Sequence, residues 1–178
     1  FMVPKDATVD RLITNRKPRN HLERSVGASR EVFPQGSDFC EITLGSRDDF
    51  RGSGADLPDY YHTTELSRAR AVTNQLGETL PFEEAREFAC VQRLLARGPV
   101  PRSREGGPMR VAILQASLPM GDVNATDFGH CAHVGLLRTR GAAGAAVLLS
   151  HRAPVPRGKT WQAVMIDDNI VVHQHRRR

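Results

Sequence analysis

The sequence predicts an α+β domain on three observations. Strand-type and helix-type runs alternate irregularly along the chain, no internal repeat or low-complexity block occurs, and two apolar runs near the end flank a pair of aspartates. The 178 residues are 39% hydrophobic and 25% charged, which suits one ordinary domain with a real core rather than a disordered chain. No apolar run reaches the ~18 residues a spanning helix needs. Ala142 to Leu149, the most apolar stretch, is far shorter, so a soluble protein without membrane contact is expected. The chain opens on Phe1 without a basic flank and apolar run, so no secretory signal is expected either. Cys40, Cys90 and Cys131 are odd in number and widely spaced, which argues for core thiols in a reducing, intracellular compartment, nucleus and cytoplasm being indistinguishable.

Taken in order, Val3 to Lys5 and Arg11 to Thr14 flank a turn-prone Asp6 to Asp10, the pattern of a hairpin. Glu41 to Leu44 reads as a strand between the Pro34 to Gly36 turn and Gly45. The glycines of Gly52 to Leu57 suggest a bulge or a close backbone approach rather than a plain strand. Leu66 to Leu76 and Phe82 to Leu95 read as helices, the second opened by Pro81, Glu83 and Glu84 and closed by Gly98. Arg102 to Pro108 is a loop by composition, Met109 to Ala116 a strand, Asp122 to Leu137 a helix and Gly141 to Ser150 a small-residue helix. Trp161 to Ile166 and Asn169 to Val172 form a hairpin with Asp167 and Asp168 at its turn. His173, His175 and Arg176 to Arg178 read as a basic, unordered tail.

The net charge is +5. Its distribution is uneven, because Lys5, Arg11, Arg16, Lys17, Arg19, Arg24 and Arg30 face only Asp6, Asp10 and Glu23 in the first thirty positions. Such an arm suits a phosphate-bearing partner, with Arg16 and Arg19 as general basic surface.

Adjacent aspartates between two apolar strands need neutralising. One reading is a divalent metal site, since Mg²⁺ takes hard carboxylate oxygens and completes its shell with water and substrate phosphates. Asp56, after the glycine-rich run, would supply a further carboxylate from a separate strand, enough for a pair of ions that run in-line nucleotidyl transfer. The alternative is that Asp167 and Asp168 merely cap an exposed turn.

The surrounding residues favour the metal. Asp56-Leu57-Pro58-Asp59-Tyr60-Tyr61 resembles the first catalytic motif of reverse transcriptases, an aspartate followed five residues later by an aromatic. Leu118-Pro119-Met120-Gly121 is similar to their Leu-Pro-Gln-Gly motif, Met165-Ile166-Asp167-Asp168 to their Tyr-x-Asp-Asp hairpin, and Val3-Pro4-Lys5 with Arg11-Leu12-Ile13 and Arg16 to Asn20 to their fingers motif. The four stand in the family's order, with Met120 and Met165 departing from its usual glutamine and aromatic. The resemblance implies a polymerase right-hand palm, an antiparallel sheet backed by helices, over residues 51–178, with a partial, basic fingers subdomain over 1–50 and no thumb, hence a truncated domain. It implies RNA-directed DNA synthesis from deoxynucleoside triphosphates on an RNA or DNA template with a primer. Asp56, Asp167 and Asp168 would hold two Mg²⁺ ions, or Mn²⁺, while Lys5, Arg11, Tyr61, Met120 and Gly121 would meet the nucleotide. Tyr61 would exclude a 2′ hydroxyl provided the chain turns after Leu57, and Gly121 would allow close backbone approach. The rivals are a catalytically decayed nucleic-acid-binding domain and a metal-dependent nuclease.

Other chemistries lack their residues. His130-x-x-His133 with Cys131 has no second ligand pair at zinc spacing, and neither a G-x-S-x-G elbow nor a G-x-x-x-x-G-K-[ST] loop is present.

Overall fold

The computed structural model describes residues 2–27, 32–98 and 109–177, with backbone alone at Arg11 and Leu12. In chain order the described strands are β1 (Met2–Pro4), β2 (Asp10–Leu12), β3 (Asp48–Asp56), β4 (Leu80–Pro81), β5 (Arg110–Val111), β6 (Thr160–Met165) and β7 (Asp168–Arg176). The helices are α1 (Lys17–Asn20), α2 (Gly36–Cys40), α3 (Tyr60–Thr63), α4 (Arg68–Ala71), α5 (Phe82–Ala85), α6 (Ala89–Leu95) and α7 (Ala125–Thr139). The result is α+β, with an antiparallel sheet and helices. The chain divides into one unit of Phe1–Thr64 with Leu118–Arg178 and another of Glu65–Ser117.

The first unit opens on the expected hairpin, β1 against β2. Its turn is closed by Asp6, whose carboxylate accepts from the Thr8 backbone, the Thr8 hydroxyl and the Val9 backbone at 2.8, 2.9 and 3.0 Å. Those bonds to the ionised form hold Asp6 below the usual carboxylate range. Farther on, β3, β7 and β6 make a three-stranded antiparallel sheet with β7 central. Its register is unbroken from Asp48 opposite Arg176 to Asp56 opposite Asp168. Ile42, Leu149, Trp161 and Ala163 form the buried cluster, with Phe39, Val155 and Val172 packed against it. Trp161 can be buried because its indole N–H donates to the Pro156 carbonyl at 2.8 Å.

Several expectations are corrected here. Glu41–Leu44 is no strand: Glu41 ends α2 and Ile42 turns into the core. The glycine-rich run is a plain strand without a bulge, because β7 supplies a partner at every position and the space a Cβ would take at Gly52 meets Val172 only at an ordinary 3.5 Å. Gly141–Ser150 is not helical. Gly141 sits at φ +70°, and the Val147 carbonyl and Leu149 N–H bond to the backbone of Gln162 along the edge of β6. The supposed basic tail is ordered, His173 to Arg176 forming the last residues of β7. All three cysteines are exposed rather than core thiols.

Arg16 is also corrected, from basic surface to a buried ion pair. Its guanidinium donates to Asp122 at 2.9 Å and lies 3.5 Å from Glu23, which also accepts from Arg19 at 2.7 Å. Around this pair the Asn20 amide donates to the Gly121 carbonyl at 2.9 Å and accepts from the Val123 N–H at 3.1 Å. Asn124 accepts from the Val26 N–H and donates to the Arg24 carbonyl. The basic arm is thereby fastened to the loop that precedes α7, and part of its charge is spent inside the fold.

In the second unit the expected Leu66–Leu76 helix is a single turn, α4. The flanking backbone instead pairs with 113–117, through bridges of Glu65 with Ser117 and Gln75 with Leu114. The Phe82–Leu95 helix is split, because Phe88 is extended and starts α6 afresh. The Met109–Ala116 strand shrinks to β5, which pairs with β4. The Arg102–Pro108 loop lies outside the described residues.

Candidate active site

β3 ends on Asp56 and β7 begins on Asp168, and the register makes these residues partners, with Met165 of β6 opposite Asp168 on its other side. The Leu57 N–H donates to the Asp167 carbonyl at 3.2 Å, which ties the end of β3 to the hairpin turn. Asp56 and Asp167 line one concavity of about 700 Å³ together with Lys5, Tyr61 and Met120. Asp168 stays in the ladder, exposed, and does not line it. Among the described residues no group of three or more His, Cys, Asp or Glu is placed to hold a metal ion. Asp10 and Asp59 line the cavity as well, and a pair of carboxylates such as Asp56 and Asp167 is a donor set that fits Mg²⁺, which is commonly held by one or two carboxylates plus water and phosphate oxygens.

The turn that carries Asp167 is held from behind. Ile166 sits in the left-handed region at φ +57°, a strained conformation for a β-branched residue. Its carbonyl lies 2.8 Å from Nδ1 of the buried His133 on α7. A carbonyl only accepts, so Nδ1 carries the proton and the His133 tautomer is fixed. One turn earlier on α7, Gly129 lets the strand turn and α3 come close, since a Cβ there would stand 3.3 Å from both Ile166 Cγ2 and Tyr60 Cε1. The Tyr60 hydroxyl completes the clamp by donating to the Gly129 carbonyl at 2.7 Å. Sequence reasoning weighed His133 only as a zinc ligand. In the fold His133 grips the turn, His130 packs edge-on against Phe33, and Cys131 is exposed.

Burial holds the His130 imidazole below its ordinary value of 6.5, and neighbouring His133 adds to the depression. The native state thus keeps His130 neutral where the unfolded chain takes up a proton. Stability is complete above about pH 6.5 and is lost as pH falls below it, because the unfolded state binds more protons. Melting temperature is expected to fall between about pH 6.5 and 5, and to fall less in His130→Gln; parallel pH profiles for the two proteins would remove His130 as the cause.

Of the nucleotide-binding candidates, Lys5, Tyr61 and Met120 line the cavity. Pro58 and a left-handed Asp59 at φ +52° turn the chain into α3, so Tyr61 reaches the same concavity as Asp56. Its half-buried ring has its phenol pushed above the usual range by desolvation. Lys5 Nζ lies 3.6 Å from Asp59 in an exposed pair, an arrangement worth little to stability. Met120 lines the cavity, and its carbonyl is 3.5 Å from the Thr14 hydroxyl. Gly121 does not line it. At φ +88° with open space around its missing Cβ, it serves the turn before α7. Arg11 is placed opposite Val3 in the β1–β2 hairpin; its side chain lies outside the described residues.

No family model, curated protein or solved structure matches the chain.

Proposed function

We propose that this chain is built for template-directed DNA synthesis of the reverse transcriptase type, nucleotidyl transfer from a deoxynucleoside triphosphate to a primer 3′ hydroxyl. One observation carries the reading: β3 and the β6–β7 hairpin bring Asp56 and Asp167, far apart in sequence, to a single cavity that Tyr61, Met120 and Lys5 share. Divalent ions bound there would neutralise charge at the reacting phosphate and favour ionisation of the primer hydroxyl. Asp56 and Asp167 would hold them, Lys5 would meet the triphosphate in place of Asp59, and Tyr61 would close the space a 2′ hydroxyl needs. A second reading, a decayed domain that binds nucleic acid without extending a primer, draws support from the exposed position of Asp168 outside the cavity.

Primer extension on a homopolymer template with Mg²⁺ separates the readings. Extension supports the polymerase, retention without extension supports the decayed domain, and shortened primer supports a nuclease. The sugar gate adds a finer expectation. Tyr61→Ala should narrow the preference for deoxy- over ribonucleotides at least ~10-fold, a modest ~1.4 kcal/mol change in discrimination. Unchanged discrimination would make Tyr61 a packing residue beside α7.

A further inference from the structure

At the end of the sheet remote from the carboxylates, Arg47, Lys159 and Arg176 line a second concavity of about 430 Å³ with Gln174 and Asp48. Eight strand steps separate Asp48 from Asp56 along β3, about 27 Å at ~3.4 Å each, so this is a different place on the molecule. Asp48 accepts from the Gln174 amide at 2.7 Å and the Gly45 N–H at 3.1 Å, and both oxygens of Asp49 are taken by Arg177. Arg47, Lys159 and Arg176 are exposed, and no ion pair is seen for any of them among the described residues. Three cations share the concavity with a single carboxylate, Asp48, so a net positive charge remains, and an external anion with several charges would balance it.

The aromatic neighbour narrows the anion. Phe50 is the register partner of Gln174 and meets Trp161 edge-on at 6.0 Å, yet the residue remains 41% exposed. A partly exposed aromatic ring next to a cationic hollow can stack a base while cations hold the adjoining phosphates. We propose that this end of the sheet is a binding site for single-stranded nucleic acid, with phosphates on Arg47, Lys159 and Arg176 and one base on Phe50. It shares no residue with the carboxylate cavity and needs neither metal nor triphosphate, so it stands or falls separately from the polymerase reading.

The test is fluorescence anisotropy of a labelled twelve-nucleotide oligo(dT) with the full chain, in chelator, across a salt series. Arg47→Gln/Lys159→Gln/Arg176→Gln should lower the magnitude of the log K against log salt slope by about 2, at ~0.7 for each single-strand phosphate that is no longer neutralised. Phe50→Leu should weaken binding roughly 5- to 100-fold with the slope unchanged. The comparison variant Arg138→Gln/Arg152→Gln/Arg157→Gln removes the same charge from exposed positions elsewhere and should change the slope by less than half as much. An equal slope change in both triple variants, an unaltered slope in the first, or full affinity in a folded Phe50→Leu would each overturn the site. Variant-sensitive capture by anionic phospholipid vesicles without oligonucleotide binding would do so too. Lys159→Gln alone, at an exposed position, should lower the slope by about 0.7, and no change there counts equally against it.

Discussion

Replacing Asp167 by Asn should reduce primer extension by on the order of 10³-fold while leaving the fold intact. The side chain reaches the cavity from a turn whose backbone is fixed independently, by His133 on the Ile166 carbonyl and by the Leu57 N–H on the Asp167 carbonyl. Asn keeps the shape and loses the charge. What disappears is the electrostatic hold on a divalent ion, worth several kcal/mol of transition-state stabilisation at ~1.4 kcal/mol per tenfold. Asp56→Asn should fall comparably, because the two carboxylates share one cavity. Asp168→Asn should fall less, since Asp168 lies outside it. Equal losses in all three would return Asp168 to the metal site, and an Asp167→Asn protein with full activity would exclude a metal role for the turn. His133→Ala adds an independent check on the clamp. It should lower apparent metal affinity ~10- to 100-fold with a smaller change in triphosphate affinity, and His133→Asn, which can still donate, should recover part of the loss.

The largest effect on stability should come from Arg16→Ala, about 3–5 kcal/mol. Arg16 and Asp122 have side chains only 8% and 0% exposed, so removing the guanidinium takes the cation at 2.9 Å away from a buried carboxylate. At roughly 2–4 °C per kcal/mol for a chain of this size, melting should drop by about 10 °C. Arg16→Met/Asp122→Leu, which removes both charges, should recover much of the loss, as buried pairs replaced by apolar groups often do. A drop below about 1 kcal/mol, the worth of an exposed pair, would mean that water reaches the site.

Legibility in the sequence followed the range of the interactions. The β1–β2 and β6–β7 hairpins and α7 were readable because neighbouring residues determine them: Asp6 closes its own turn, and alternating apolar runs flank Asp167. β3 was misread because Gly52 and Gly54 weaken a strand taken alone, whereas β7 supplies a complete ladder from the other end of the chain. Leu66–Leu76 has helical spacing, yet long-range bridges to 114 and 117 leave only one turn of it. Charge counting misplaced Arg16 for the same reason, since its partner Asp122 cannot be seen from local composition. At the site, Asp56, Tyr61, Met120 and Asp167, singled out from the sequence, line one cavity in the fold. The His133 grip on the turn was invisible, because nothing in a His-x-x-His spacing says that one imidazole meets a carbonyl on a distant hairpin.

Whether Asp56 and Asp167 act as a pair on a divalent ion is read most directly by Mn²⁺ binding, followed by electron paramagnetic resonance with a non-hydrolysable deoxynucleoside triphosphate present. Wild-type protein should bind Mn²⁺ in excess of what the triphosphate alone retains, and Asp56→Asn and Asp167→Asn should each abolish that excess while remaining folded. Mn²⁺ binding that is the same in wild type and in both variants would contradict a metal site at this cavity.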